Sequence, residues 1–203
     1  MRVRLFKLVF LSLAACVLPH AVSAADEACE QFLGASVQTV LTQYENGTAS
    51  VTRTELEGFV TNKVDLSRIA KFTLGKYAPS VSEVDFERFR AALNTYVVDI
   101  LEQSLSEAKN TSAEVLGSVD RRATDCVVET VFYRPSQPDM LLLWRVFRED
   151  ETYRIFDVAI RDAGNTLWVS LELRAQFAAL LDQKNGSIET VIQSLQSKTT
   201  DLP

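Results

Sequence analysis

Apolar positions recur along this chain with two different periods, and the change of period divides it near Asn110. Before that point they return every three or four residues, as on one side of a helix. Glu27–Tyr44 carries Phe32, Ala35 or Ser36, Val40 and Tyr44 near that spacing, and Asn46-Gly47 ends it. Thr52 to Glu55 matches a capping box, in which a hydroxyl and a carboxylate each accept a backbone N–H of the first turn. Leu56, Phe59, Val60 and Val64 follow as the apolar stripe of that second helix. Asp65-Leu66-Ser67 opens a third, short helix through Ile69, Ala70, Phe72 and Leu74, which Gly75 stops. After the break at Pro79 and Ser80–Ser82, a long helix runs from about Ser82 to Ala108. Phe86, Phe89, Leu93, Tyr96, Val97, Ile100, Leu101 and Leu105 lie on its one broad face.

Beyond Asn110 the period shortens to two. Ala113–Val119, Asp125–Tyr133, Met140–Arg148 and Tyr153–Arg161 read as four strands with short polar links, so sequence neighbours are antiparallel neighbours. Asp162-Ala163-Gly164 breaks the last strand. Asn165 or Thr166 is then a fair N-cap for a helix over about Thr166–Lys184, with Leu167, Leu171, Phe177, Leu180 and Leu181 apolar. Asn185-Gly186 separates this from a final helix, Ser187–Ser197. The expectation is a single α+β domain: a helical layer packed on a four-stranded antiparallel sheet.

The strands do not alternate cleanly between apolar and polar. Along Met140–Phe147 one face is Met140, Leu142, Trp144 and Val146, and the other is Leu141, Leu143, Arg145 and Phe147. Either helices cover both faces, or one face lines an apolar cavity; pattern alone does not separate these. Arg145 and Asp157 stand inside apolar runs, and buried charges need partners. They can pair across adjacent strands. Alternatively, Arg145 can face a phosphate at a pocket mouth and Asp157 can serve as a base. No second acid, histidine or metal cluster accompanies Asp157, so no catalytic residue, metal or cofactor is expected.

The N-terminus changes the picture of where the chain works. Arg2, Arg4 and Lys7 precede an apolar run from Leu8 to Leu18, and Val22-Ser23-Ala24 ends in small residues, the layout of a secretory signal cleaved after Ala24. A rival reading sees a lipobox in Leu13-Ala14-Ala15-Cys16, which would tether the protein through Cys16. Removing residues 1–24 leaves 179 of 203 residues and, with three basic groups gone, takes the formal net charge from −6 to −9. Such a domain, residues 25–203, offers no electrostatic case for nucleic acid. The single histidine, His20, leaves with the signal, which excludes Ser-His-Asp and Cys-His catalysis and histidine metal sites. Cys29 and Cys126 remain, either as one disulfide in an oxidising compartment or as two buried thiols.

Three blocks resemble the MlaC/toluene-tolerance family of periplasmic phospholipid carriers. The first is Val60–Val97, matching at Val64, Asp65, Ile69, Leu74, Gly75, Tyr77, Phe86, Phe89, Leu93 and Tyr96. The second is the strand YRIFDVAI, and the third is Gly164, Thr166 and Leu167 followed by Arg174 and Phe177. The chain departs from the pattern at Asp162-Ala163, Asn165 and Thr166, which bears on the turn more than on the fold. The resemblance implies a nuclear-transport-factor-like cone with acyl chains between helices and sheet. It also implies an outer-membrane lipoprotein complex and an inner-membrane MCE-type ABC transporter as partners of a monomeric carrier, and a related branch handles hopanoids. The expected lipid contacts are Phe59, Leu66, Ile69, Phe72, Phe89, Leu93, Tyr96, Val131, Tyr133, Leu143, Arg145, Phe147, Val158, Ile160, Leu167 and Leu171.

Overall fold

A computed structural model describes residues 27–45, 52–106, 110–135, 137–150 and 152–200. The expected signal, its Cys16 and the Asn46-Gly47 break lie outside them. Four helices come first: α1 (Glu27–Glu45), α2 (Arg53–Lys63), α3 (Leu66–Leu74) and α4 (Glu83–Ser106), with a 3-10 segment at Gly75–Ser80. Local chemistry accounts for their starts. The Thr52–Glu55 capping box forms in both directions, and the Asp65 carboxylate accepts the Arg68 N–H at 3.0 Å to open α3. Gly75 ends α3 at φ 56°, a left-handed conformation suited to a residue without a side chain.

The sheet follows as β1 (Ser112–Arg122), β2 (Asp125–Tyr133), β3 (Met140–Glu149), β4 (Thr152–Asp162) and β5 (Asn165–Trp168), paired antiparallel in chain order. It therefore has five strands, one more than expected. Leu167 and Leu171 are four apart, a helical spacing that predicts a helix from about Thr166. Backbone geometry decides otherwise: Ala163 and Gly164 both have positive φ (45° and 85°), the two-residue turn that closes a hairpin, and Asp162 pairs with Asn165. The helix α5 (Val169–Gln183) starts three residues later than expected, and α6 (Ile188–Thr200) completes the fold.

A buried core joins the layers. Val128 and Val146 from the sheet are wholly enclosed with Leu33, Leu56, Val60, Phe89, Leu93, Val98, Phe177, Leu181 and Leu195 from the helices. Phe89 and Phe177 meet edge to face at 5.7 Å, fastening α4 to α5. Cys29 on α1 and Cys126 on β2 form a disulfide spanning 97 positions of sequence. A closure of that length restricts the unfolded chain by about 4–5 kcal/mol. Replacing both cysteines by serine should lower unfolding free energy by about that amount, measured by urea denaturation of the oxidised protein against the double variant.

Candidate functional site

The register of the sheet shows which side chains share a face. Cys126, Val128, Thr130 and Phe132 of β2 lie beside Val146, Trp144, Leu142 and Met140 of β3, on the side where α1 is bonded through Cys29. Val146 and Arg145 pair with Ile155 and Asp157 of β4, which leaves Phe156 as an extra residue. This β-bulge reverses the parity of everything after it. Val158 and Ile160 consequently sit opposite Trp144 and Leu142, on the face that carries α1. Leu167 of β5 pairs with Ile160 on the same side.

The outcome is an apolar strip across four strands: Phe132, Met140, Leu142, Val158, Ile160 and Leu167. It lies on the face that carries α1, and Ile160 and Leu167 are 43% and 50% exposed at its β5 end, while Leu142 is 8% exposed. Phe132, Met140, Leu142, Val158, Ile160 and Leu167 all stand outside the main buried core. Large apolar side chains that share one face and still meet water form an exposed apolar patch. Two cavities lie elsewhere. One of about 530 Å³ lies between α4 and α6 against Arg88, Ala91, Ala92, Thr95, Ile192 and Gln196. The other, of about 280 Å³, is lined by Asp65, Phe147, Glu149, Asp150, Thr152 and Arg154.

The residues expected to contact lipid are divided between environments. Val158, Ile160 and Leu167 share the strip. Val131, Tyr133, Leu143, Arg145 and Phe147 point to the opposite face, because the Phe156 bulge separates the parity of β4 from that of β3. Leu66, Ile69, Phe89 and Leu93 are core residues, and Phe59, Phe72 and Tyr96 pack against that core half-buried. Leu171 is 50% exposed on the first turn of α5. Phe132, Met140 and Leu142, which share the strip, are not among the expected contacts. Their signal lies in register, and register follows from turn and bulge positions.

The two charges within the apolar runs also find other partners than expected. Arg145 and Asp157 are register neighbours but do not pair with each other. Arg145 instead forks onto Asp125, at 3.0 Å from Nε and 2.7 Å from Nη2, and its guanidinium lies against the rings of Phe147 and Phe156 at 4.9 and 5.1 Å. The Asp125 side chain is 3% exposed, so the fork neutralises a buried carboxylate. Asp157 accepts the Ser170 and Val158 backbone N–H groups, each at 2.9 Å, and the Ser170 hydroxyl. Ser170 is in the first turn of α5, whose own cap position, Trp168, supplies no side-chain acceptor. Asp157 thus caps α5 from a neighbouring strand, and its negative charge suits the helix N-terminus. Burial pushes the Asp157 carboxyl above its ordinary value of 3.8, against the opposing pull of Ser170, Val158 and Arg145. With every oxygen engaged by the backbone and Ser170, its geometry is that of a fastening. Among the described residues no cluster of ligands could hold a metal, and no helix is long and apolar enough to cross a membrane.

Helices packed on a five-stranded antiparallel sheet define the class, an α+β domain, here with an exposed apolar strip on one face of the sheet. A family model described as MlaC protein matches residues 28–197, and the chain belongs to that family. In fold it is similar to the phospholipid-binding protein from Ralstonia solanacearum, solved in complex with a phospholipid. The TM-score is 0.73 at 16% identity, covering 86% of this chain and 98% of that one. No curated protein matches the sequence.

Replacing Arg145 by methionine should destabilise the fold by about 3 kcal/mol, because Asp125 is left buried and unpaired; chemical denaturation measures this. For Asp157 the sign follows from a raised folded-state value. Its ionised form is disfavoured in the fold, so its contribution is fully present below the unfolded value and lost as pH rises through the folded one. Asp157→Asn stays neutral, so the stability of wild type relative to this variant should fall with rising pH in melting curves.

Proposed function

We propose that this protein is a phospholipid carrier of the periplasm, a binding protein without turnover. The signal-like residues 1–24 direct export. The carrier moves lipid between an outer-membrane lipoprotein complex and an inner-membrane MCE-type ABC transporter, holding the acyl chains in a cone-like space between helices and sheet. One observation carries this reading: the apolar strip from Phe132 to Leu167 on one face of the sheet, half-exposed at its β5 end. Membership of the MlaC family and the fold shared with a phospholipid-binding protein support it.

The physical case is one of transfer free energy. At about 0.8 kcal/mol per methylene, exposing two acyl tails of some 30 methylenes to water costs on the order of 20 kcal/mol. A surface as apolar as the bilayer interior makes extraction nearly neutral. Near-neutrality leaves direction to the membrane-bound partners. Tails laid along the strip cover its half-exposed end at Ile160 and Leu167. The Cys29–Cys126 bond clamps α1 to β2, so the β4–β5 side is the side that opens.

Purified protein analysed by lipid extraction and native mass spectrometry should carry phospholipid, or take it up from vesicles; a chain that does neither is not a carrier. Ile160→Glu and Leu167→Glu act on half-exposed side chains and should leave the melting temperature unchanged. Each should lower lipid loading about tenfold, the equivalent of losing one buried aliphatic contact.

A further inference from the structure

Four residues stand opposite one another across the sheet in a single row: Leu167 on β5, Ile160 on β4, Leu142 on β3 and Thr130 on β2. Their exposure falls along the row, from 50% and 43% to 8% and then 1%. The row is open at one end and enclosed at the other. Three steps between neighbouring strands make it about 14 Å long.

The enclosed end carries a polar latch. Trp144 stands one row inward, between Val128 and Val158, half-buried and packed against the main core. Its indole Nε1 donates to the Thr130 hydroxyl oxygen at 2.8 Å, a diagonal reach from β3 to β2. An indole N–H among apolar neighbours needs an acceptor, and Thr130 supplies it. The bond holds a broad, flat ring where the aliphatic side chains of the row give way. Past the ring, Val128, Val146 and Ile155 are closed into the core.

We propose that Trp144, latched by Thr130, is the end stop for an acyl tail seated on this row and makes the protein selective for tail length. This rests on the reading of the strip as a lipid surface. One leaflet of a bilayer holds about 15 Å of hydrocarbon, half of a core about 30 Å thick, so a tail of ordinary membrane length just fills the row. A methylene that moves from the bilayer onto the row changes its surroundings little. One that the indole turns back into water lowers loading about fourfold. Tails longer than the row are therefore penalised in steps.

Competition between tail lengths tests it. Purified protein is incubated with vesicles of equimolar dimyristoleoyl- and dierucoyl-phosphatidylcholine, and the bound lipid is extracted and identified by mass spectrometry. Wild type should hold the shorter lipid in at least about tenfold excess, and Trp144→Ala should bring the two close to equal. Trp144→Phe keeps an aromatic ring against the core but removes the N–H that reaches Thr130, so it decides the matter if the alanine variant does not fold. It should lower the excess about fourfold, the equivalent of one methylene. In a Trp168→Phe background Trp144 is the one tryptophan left. Phosphatidylcholine brominated at the tail end should quench its fluorescence, and the same lipid brominated near the glycerol should not. Loading without preference for length, a preference unchanged in Trp144→Phe, or fluorescence indifferent to the position of bromine would overturn the end stop and leave carriage standing. No lipid bound at all would overturn the carrier reading and the end stop with it.

Discussion

One extra residue in β4 governs how the sheet meets its helices. Side chains alternate along a strand, so a single unpaired residue at Phe156 reverses every position that follows. Without it, Val158 and Ile160 would share a face with Leu143 and Leu141, and Asp157 would join the face of Trp144 and Leu142. With it, two aliphatic residues continue the line of Trp144 and Leu142, and the carboxylate turns to the opposite face. There it meets the N-terminus of α5, a helix that lacks a side-chain cap of its own. The bulge thus builds the apolar strip and fixes the helix beside it.

The charged residues inside the sheet are fastenings around that strip. Arg145 closes on Asp125 between two phenylalanine rings, and Asp157 holds Ser170. Each removes a charge from the apolar environment by giving it a complete set of partners, which is the condition for burying it at all. The face of the sheet that carries Leu142, Ile160 and Leu167 is left apolar around them.

Rigidity is distributed unevenly between the two ends of the sheet. The disulfide ties α1 to β2, while β5 is a short edge strand with Leu167 half in water. In the proposed carrier, the clamped side would preserve the fold while ligand is absent and the other side would part to admit acyl chains.

Much of this was written in local sequence. The capping box at Thr52, the Asp65 start, the Gly75 stop and the four long strands depend on contacts within a few residues, so periodicity and capping chemistry determine them. The MlaC resemblance was legible in the same way, as residue types at fixed spacing. The fifth strand was not, because Leu167 and Leu171 satisfy a helical period while two positive φ angles at Ala163 and Gly164 impose a hairpin. Nor were the partners of Arg145 and Asp157, or the membership of the strip. Those depend on register across strands distant in sequence, and one bulge, which costs little locally and leaves no pattern of its own, decides which face each side chain occupies.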